Sequence, residues 1–170
     1  MDNMKNKVMA LLLLACGMNS VALAQHRLPA AIVKTIHGEM VKTDTLSNGG
    51  KPLVISFFAT WCKPCNRELT AIADCYADWR EETGMRLIAV SIDQAQNVNK
   101  VKPLADASGW EYDILLDTNG DFKRALGINM IPYTLLIDGR GNIVDKHNGY
   151  TDGDEKRLIE KIRTIATHEK

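Results

Sequence analysis

Apolar and polar positions in the middle of the chain mark out a strand followed by a helix. The segment Leu53-Val-Ile-Ser-Phe-Phe-Ala59 is almost wholly apolar and rich in β-branched and aromatic residues, which is typical of a strand buried on both faces. Beyond it, apolar side chains recur at helical spacing, at Leu69, Ile72, Ala73, Tyr76 and Trp79. This pattern predicts one helix from about residue 63 to residue 82, ending near Gly84.

Similar patterns run through the rest of the chain. A hairpin is predicted from Ala31–Ile36 and Met40–Thr43, with Gly38 in its turn. Further strands are predicted at residues 86–92, 112–116, 133–138 and 142–147, and further helices within residues 97–108, at 121–126 and at 154–167. Strands that alternate with helices predict an α/β fold whose sheet is covered on both faces.

The first 24 residues have the features of an export signal. Lys5 and Lys7 precede a short apolar stretch at residues 8–16, and Ala22-Leu-Ala24 supplies the small residues of a cleavage site. An amphipathic first helix or an uncleaved anchor is the alternative. We expect residues 1–24 to be a signal peptide that is removed after export.

A second interpretation of this segment involves its cysteine. Leu13-Leu-Ala-Cys16 resembles the lipobox of bacterial lipoproteins, whose cysteine is lipidated and becomes the new N-terminus. Lipidation at Cys16 would attach the protein to a membrane. Either form of processing predicts an exported, periplasmic protein.

Composition and charge narrow the class of protein. The 170 residues suit one ordinary domain, which we assign to residues 25–170, and 45% hydrophobic with 25% charged residues is usual for a globular protein. Lys plus Arg and Asp plus Glu balance at 21 each. This balance gives no indication of a nucleic-acid partner.

Two cysteines two residues apart follow the predicted buried strand. A redox-active cysteine reacts as a thiolate, and the free N–H groups and dipole of a helix N-terminus stabilise negative charge there. Cys62 falls at such a terminus, Pro64 suits the first helical turn, and Lys63 adds a nearby cation. Cys65 lies within the first turn and is more shielded, which favours it as the resolving thiol.

Glu68 shares a helix face with Cys65. It is three residues beyond Cys65 and on the flank of the predicted buried face. Burial raises the pKa of a carboxyl group, which would suit proton exchange with Cys65 while a disulfide forms and opens. An ordinary solvated glutamate near a helix start is the alternative.

Other uses of the cysteines fit the sequence less well. A structural zinc site needs four ligands, and only one Cys-x-x-Cys pair is present, without a Cys/His cluster to complete it. We therefore predict no metal and no cofactor. A staple that closes so short a loop stabilises little. Cys75 lies ten residues beyond Cys65, about 15 Å along a continuous helix, too far for a disulfide. We expect it to be a half-buried structural thiol, with a mixed disulfide or a dimer link as the alternative.

Two motifs carry a family resemblance. Trp61-Cys-Lys-Pro-Cys65, after Ser56-Phe-Phe-Ala-Thr60, resembles the active site of thioredoxin-like proteins. Gly127-Ile-Asn-Met-Ile-Pro-Tyr-Thr-Leu-Leu-Ile-Asp138 is similar to their cis-proline loop and the strand after it. The chain resembles the bacterial TlpA type, a redoxin branch related to peroxiredoxins, in three features. These are its export, its first hairpin and an inserted α/β unit at about residues 93–116. The resemblance implies a thioredoxin fold with a central mixed sheet and helices on both faces.

The resemblance also implies roles for individual residues. Cys62 becomes the attacking cysteine and Cys65 the resolving one, and Pro132 becomes the cis-proline packed against their disulfide. Ile131 before it shapes the edge that meets a substrate. Thioredoxin has a buried aspartate where this chain has Ser56, whereas TlpA-type proteins often carry the glutamate that Glu68 matches.

The function expected from these residues is thiol-disulfide exchange in an exported protein. The TlpA resemblance implies a reductant of disulfide-bearing periplasmic proteins, for example apocytochrome c, with electrons supplied by a membrane thiol donor. Two alternatives stay open: a thiol peroxidase, although the T-x-x-C setting of a peroxidatic cysteine is not present, and a copper-binding thiol module.

Overall fold

The computed structural model describes residues 27–168, so the predicted signal peptide and the lipobox at Cys16 lie outside the described residues. These residues form seven strands and five α-helices. The strands are β1 (Ile32–Thr35), β2 (Met40–Lys42), β3 (Leu53–Phe58), β4 (Arg86–Ser91), β5 (Asp113–Leu116), β6 (Tyr133–Ile137) and β7 (Ile143–Asn148). The helices are α1 (Lys63–Ala73), α2 (Tyr76–Thr83), α3 (Val101–Ala107), α4 (Asp121–Ala125) and α5 (Asp154–His168).

All seven strands join one mixed sheet in the order β2-β1-β5-β4-β3-β6-β7. β3 pairs in parallel with β4, and β4 with β5, whereas β6, β7 and the β1–β2 hairpin are antiparallel to their neighbours. The predicted inserted unit supplies α3 and β5, and β5 extends the sheet between β4 and the hairpin. β3 lies inside the sheet between β4 and β6, and its six residues are all buried.

Two apolar cores cover the two faces of this sheet, because alternate side chains of each strand point in opposite directions. One core packs α1, α2, α3 and α5 against one face, and it includes Val54, Phe58, Leu69, Ile72 and Ile162. The other packs Phe122 of α4 against the opposite face, with Leu53, Ile55, Phe57 and Leu135. The mixed α/β sheet with helices on both faces is therefore confirmed.

One predicted element is wrong in its extent. The helix expected over residues 63–82 is interrupted: α1 ends at Ala73 and α2 begins at Tyr76. The N–H of Cys75 bonds to the carbonyl of Ile72, which tightens the chain into a turn between them. The apolar spacing continues across the break, because α1 and α2 bury residues in the same core. Gly84 ends α2 in the left-handed conformation, at φ 68°, which glycine adopts without steric cost.

The other elements agree with the sequence to within a few residues. The predicted helix within residues 97–108 is a short 3-10 turn, Val98–Lys100, followed by α3. Pro103 lies in the first turn of α3, where its missing N–H breaks no helical bond. Within the described residues, the structure contains no helix with the length and hydrophobicity of a membrane span.

Candidate active site

Cys62 and Cys65 form a disulfide at the junction between β3 and α1, with their Cα atoms 5.3 Å apart. Cys62 is the residue that caps α1, and its sulfur accepts a hydrogen bond from the backbone N–H of Cys65 at 3.3 Å. A sulfur in this position lies against the unpaired N–H groups and the positive end of the helix dipole. Such surroundings favour a thiolate on Cys62 once the disulfide is reduced.

The two cysteines differ in their access to solvent. Cys62 is 6% exposed, whereas Cys65 is fully buried in the core beneath α1. Trp61, immediately before the pair, is one of the most exposed large apolar side chains among the described residues, at 64%. Lys63 is exposed and Pro64 half-buried, both in the first turn of α1. A partner molecule therefore meets Trp61 and Cys62 before it meets Cys65.

A buried carboxylate that the sequence analysis did not single out holds the chain just before Cys62. Asp93 is 1% exposed, and its two oxygens accept hydrogen bonds from the backbone N–H and the hydroxyl of Thr60, at 2.8 and 2.7 Å. The hydroxyl of Ser91 also donates to it, at 2.9 Å. The sequence carries a signal for this contact. Asp93 follows the carboxyl end of β4, and in a parallel pair that end lies beside the carboxyl end of β3, just before Thr60.

Glu68 is buried, as its helical phase predicts, at 4% exposure. Its carboxylate accepts hydrogen bonds from the hydroxyls of Thr134 at 2.8 Å and Ser56 at 3.1 Å. Burial raises the pKa of Glu68, while those two bonds and the nearby His147 oppose the shift. The carboxyl group from the helix is thus bonded to Ser56, the strand position where thioredoxin carries its own buried acid. Thr134 was missed, although it is the one polar residue in the apolar strand β6.

The Ile131–Pro132 peptide bond is cis. Pro132 directly precedes β6, and Phe57 near the end of β3 pairs with Tyr133 at the start of β6. The loop thus lies at the same end of the sheet as the cysteine pair. Ile131 packs against the core cluster that contains both cysteines, and Met130 beside it is 62% exposed.

The third cysteine of the described residues lies at the break between α1 and α2. Cys75 is a free, half-buried thiol, as expected, although the continuous helix assumed in placing it is not present. Its sulfur donates toward the carbonyls of Ala71 and Ile72, at 3.3 and 3.5 Å. Burial raises the pKa of Cys75, and the charges of Glu155, Asp74 and Asp78 raise it further.

Comparison with solved structures defines the class of this protein. A thioredoxin-like protein from Porphyromonas gingivalis, described as uncharacterized, matches with a TM-score of 0.75 and 59% sequence identity, over 83% of this chain and 92% of that one. A putative thiol:disulfide interchange protein DsbE from Chlorobium tepidum matches with a TM-score of 0.72 over 85% and 99% of the two chains; at 22% identity it supports the fold alone. The fold and the paired cysteines are those of a thioredoxin-like protein.

Comparison of sequences gives the family. The profile of the AhpC/TSA family matches residues 24–146, and the chain belongs to that family. The thiol-disulfide oxidoreductase ResA of Halalkalibacterium halodurans is 27% identical over 150 residues, which cover 88% of this chain and 81% of ResA. The thioredoxin-like protein YneN of Bacillus subtilis is 30% identical over 122 residues, covering 71% and 69%. The enzyme class is that of a thiol-disulfide oxidoreductase.

Proposed function

We propose that this protein is an exported reductant of protein disulfides, and that it works through the Cys62–Cys65 pair. The observation that carries the proposal is the pairing of a disulfide at a helix N-terminus with a buried carboxylate, Glu68, one helical turn further on. The first feature favours a thiolate and the second offers a base within the protein. Together they provide the two groups that a dithiol reductase needs.

The first step is attack by Cys62. In the reduced protein its thiolate attacks one sulfur of a substrate disulfide, forms a mixed disulfide and releases the other substrate sulfur as a thiolate, which takes a proton from water. Cys62 suits this role because it is the more exposed cysteine and because the N–H of Cys65 points at its sulfur. Trp61, Lys63 and Pro64 surround it at the start of α1.

The second step is resolution by Cys65. Its thiol gives a proton to the Glu68 carboxylate, and the resulting thiolate attacks the Cys62 sulfur of the mixed disulfide. The Cys62–Cys65 disulfide forms and the reduced substrate leaves with both of its sulfurs. A raised pKa suits Glu68 to this transfer, because it brings the carboxyl closer to the pKa of a thiol.

The loop before β6 provides the surface for the substrate. Ile131 and the cis-linked Pro132 lie at the same end of the sheet as the disulfide, and the exposed side chains of Trp61 and Met130 flank this end of the molecule. We propose that a partner chain lies along this loop in an extended conformation while it is joined to Cys62.

The proposal also covers the compartment in which the protein works and the source of its electrons. Residues 1–24 are proposed to export the protein to the periplasm as a cleaved signal peptide; the alternative is a protein anchored to the membrane by lipidation at Cys16. That compartment is kept oxidising, so a reductant there needs electrons from a membrane thiol donor. Disulfide-bearing exported proteins, among them apocytochrome c, are the proposed substrates.

Trapping of partners tests the proposal. With Cys65→Ser the mixed disulfide cannot be resolved, so exported proteins should stay joined to Cys62 and separate on addition of dithiothreitol. Cys75→Ser keeps the pair intact and is the matched control, which should trap nothing. If Cys65→Ser traps no exported protein, or if the purified protein fails to reduce insulin when supplied with a dithiol, the proposed function is wrong.

A further inference from the structure

A cavity lined mainly by charged and polar residues reaches Glu68 from the side of the molecule formed by β7 and α5. Its volume is about 260 Å³, and it is bounded by Glu68, by Thr134 of β6 and by residues of β7 and α5. Glu68 is 4% exposed and Cys65 is fully buried. The carboxyl group therefore has little direct contact with solvent, and this cavity borders it.

Strand register places a histidine next to the group that binds Glu68. Thr134 of β6 is directly opposite His147 of β7, so both side chains lie on the same face of the sheet. The hydroxyl of Thr134 donates to Glu68 at 2.8 Å. Thr134 is thus bonded to the buried carboxylate and is the cross-strand neighbour of the histidine.

His147 joins the interior to the surface. Its side chain is 43% exposed, yet its Nε2 atom is buried, makes no hydrogen bond and lies 3.4 Å from Oδ2 of Asp154. A neutral imidazole carries both a proton donor and a proton acceptor, and histidine exchanges protons readily near neutral pH. A half-exposed ring with one nitrogen turned inward has the geometry of a proton carrier.

The other charged groups of the cavity are engaged in ion pairs or hydrogen bonds. Lys161 of α5 pairs with Asp145 of β7 at 2.6 Å, and Arg157 pairs with Asp154. Glu155 accepts a hydrogen bond from the hydroxyl of Tyr150 at 2.8 Å. These three acids and two cations thus each have a partner, whereas the lining of the cavity presents a buried nitrogen without a hydrogen bond at His147.

We propose that this cavity is the route by which Glu68 exchanges its proton with solvent, and that His147 carries the proton across the mouth of the cavity. The proposal rests on the proposed function, because resolution by Cys65 leaves one proton on Glu68, and reduction of the pair by the donor requires a proton to return to Cys65 by the same route. Protonated Glu68 donates to the Thr134 hydroxyl, which passes a proton toward the cavity. Nε2 of His147 accepts it, and the imidazolium releases a proton to bulk water. Glu68 is then again a carboxylate, and no electron has moved in this step.

His147 also acts on Glu68 through its charge. A positive imidazolium lowers the pKa of Glu68, so removing the imidazole raises that pKa further. These two roles of His147 can be separated by experiment. A small diffusible base can replace a residue that carries protons, but it cannot replace a fixed charge beside Glu68.

The test compares His147→Gln with His37→Gln in steady-state insulin reduction between pH 6 and pH 8.5. His37 is exposed in the turn between β1 and β2, far along the chain from the cavity, so its variant should match the parent protein. His147→Gln should be slower by on the order of tenfold near pH 7, and added imidazole should restore most of the rate. Thr134→Val, which removes the hydroxyl with little change in shape, should also be slow but should not respond to imidazole.

Two results overturn the proposal. One is a His147→Gln variant that equals His37→Gln at every pH; the other is a loss of rate that imidazole does not restore. Glu68→Gln separates the two proposals: if it is slow while His147→Gln is normal, the proposed function stands and the proton route is wrong. If the parent protein and His37→Gln both fail to reduce insulin, the proposed function itself is wrong.

Discussion

Two cysteines within residues 27–168 stand at the start of a helix, and the structure gives them opposite surroundings. Cys62 caps α1 and its sulfur accepts a hydrogen bond from the N–H of Cys65. Cys75 precedes α2, yet its side chain makes no such bond and donates instead to carbonyls at the end of α1. The sulfur of Cys62 accepts a hydrogen bond from the N–H of another residue in its helix, whereas the thiol of Cys75 donates to two carbonyls.

The acidic residues near the Cys62–Cys65 pair and those near Cys75 also differ. Glu68, one helical turn beyond Cys65, is buried and bonded to hydroxyls, and burial raises its pKa. The acids near Cys75 act on the thiol itself: burial raises the pKa of Cys75, and the negative charges of Glu155 and Asp74 raise it further. A helix start therefore does not make a cysteine reactive by itself; the groups that the sulfur contacts decide its chemistry.

Loss of the sulfur at each site should have very different consequences. Cys62→Ser removes the attacking group, and we expect insulin reduction to fall by on the order of 10³-fold or more, because covalent exchange through this residue is lost. Cys75→Ser should stay within about twofold of the parent protein, since its thiol lies outside the pair. Turnover of both variants, measured side by side, checks this. An active Cys62→Ser variant would contradict the difference proposed between Cys62 and Cys75.

Removal of the buried acid should slow the enzyme less than removal of the nucleophile. Glu68→Gln keeps the shape and can still bond to Ser56 and Thr134, but an amide cannot take the proton of Cys65. We expect release of reduced product to slow on the order of 10²-fold near pH 7. Quenched-flow measurement of a mixed disulfide with glutathione should show it accumulating. Equal rates of resolution in the two proteins would show that Glu68 has no part in proton transfer.

Alkylation of the reduced protein tests the thiolate of each cysteine. At pH 7 iodoacetamide should modify Cys62 at least about tenfold faster than Cys75, because the start of α1 stabilises the Cys62 thiolate while burial and nearby acids raise the pKa of Cys75. The rate at Cys75 should keep rising above pH 9, since its pKa is raised above the ordinary thiol value. Peptide mapping by mass spectrometry distinguishes the sites. Similar rates at pH 7 would contradict the contrast.

The smallest expected effect concerns the charges near Cys75. Asp74→Asn combined with Asp78→Asn removes two exposed acids, so the pKa of Cys75 should fall and its alkylation at pH 8 should quicken by about two- to threefold. Because the acids are exposed, the gain should shrink at high salt. Asp106→Asn, an exposed acid of α3, is the control and should leave the rate unchanged.

Sequence alone predicted the parts of this molecule that depend on neighbours along the chain. The apolar run at β3 and the position of Pro64 locate Cys62 at a helix start, and helical phase buries Glu68. The break at Asp74–Cys75 was not predicted, because the apolar spacing is the same on both sides of it.

Contacts between distant parts of the chain were not predictable from one sequence. Asp93 reaches Thr60 across 33 positions, and Thr134 reaches Glu68 across 66. His147 joins this group only through the pairing of β6 with β7. Such contacts depend on strand order and register, which local patterns do not specify.

The direction of electron flow is the central claim, and a redox titration of the Cys62–Cys65 pair tests it most directly. Equilibration with dithiothreitol or glutathione buffers, followed by alkylation and mass spectrometry, gives the midpoint potential. We predict a value well below that of the oxidant DsbA, which lies at about −120 mV, and nearer to thioredoxin at about −270 mV. A potential close to that of DsbA, together with no reduction of insulin, would contradict the account.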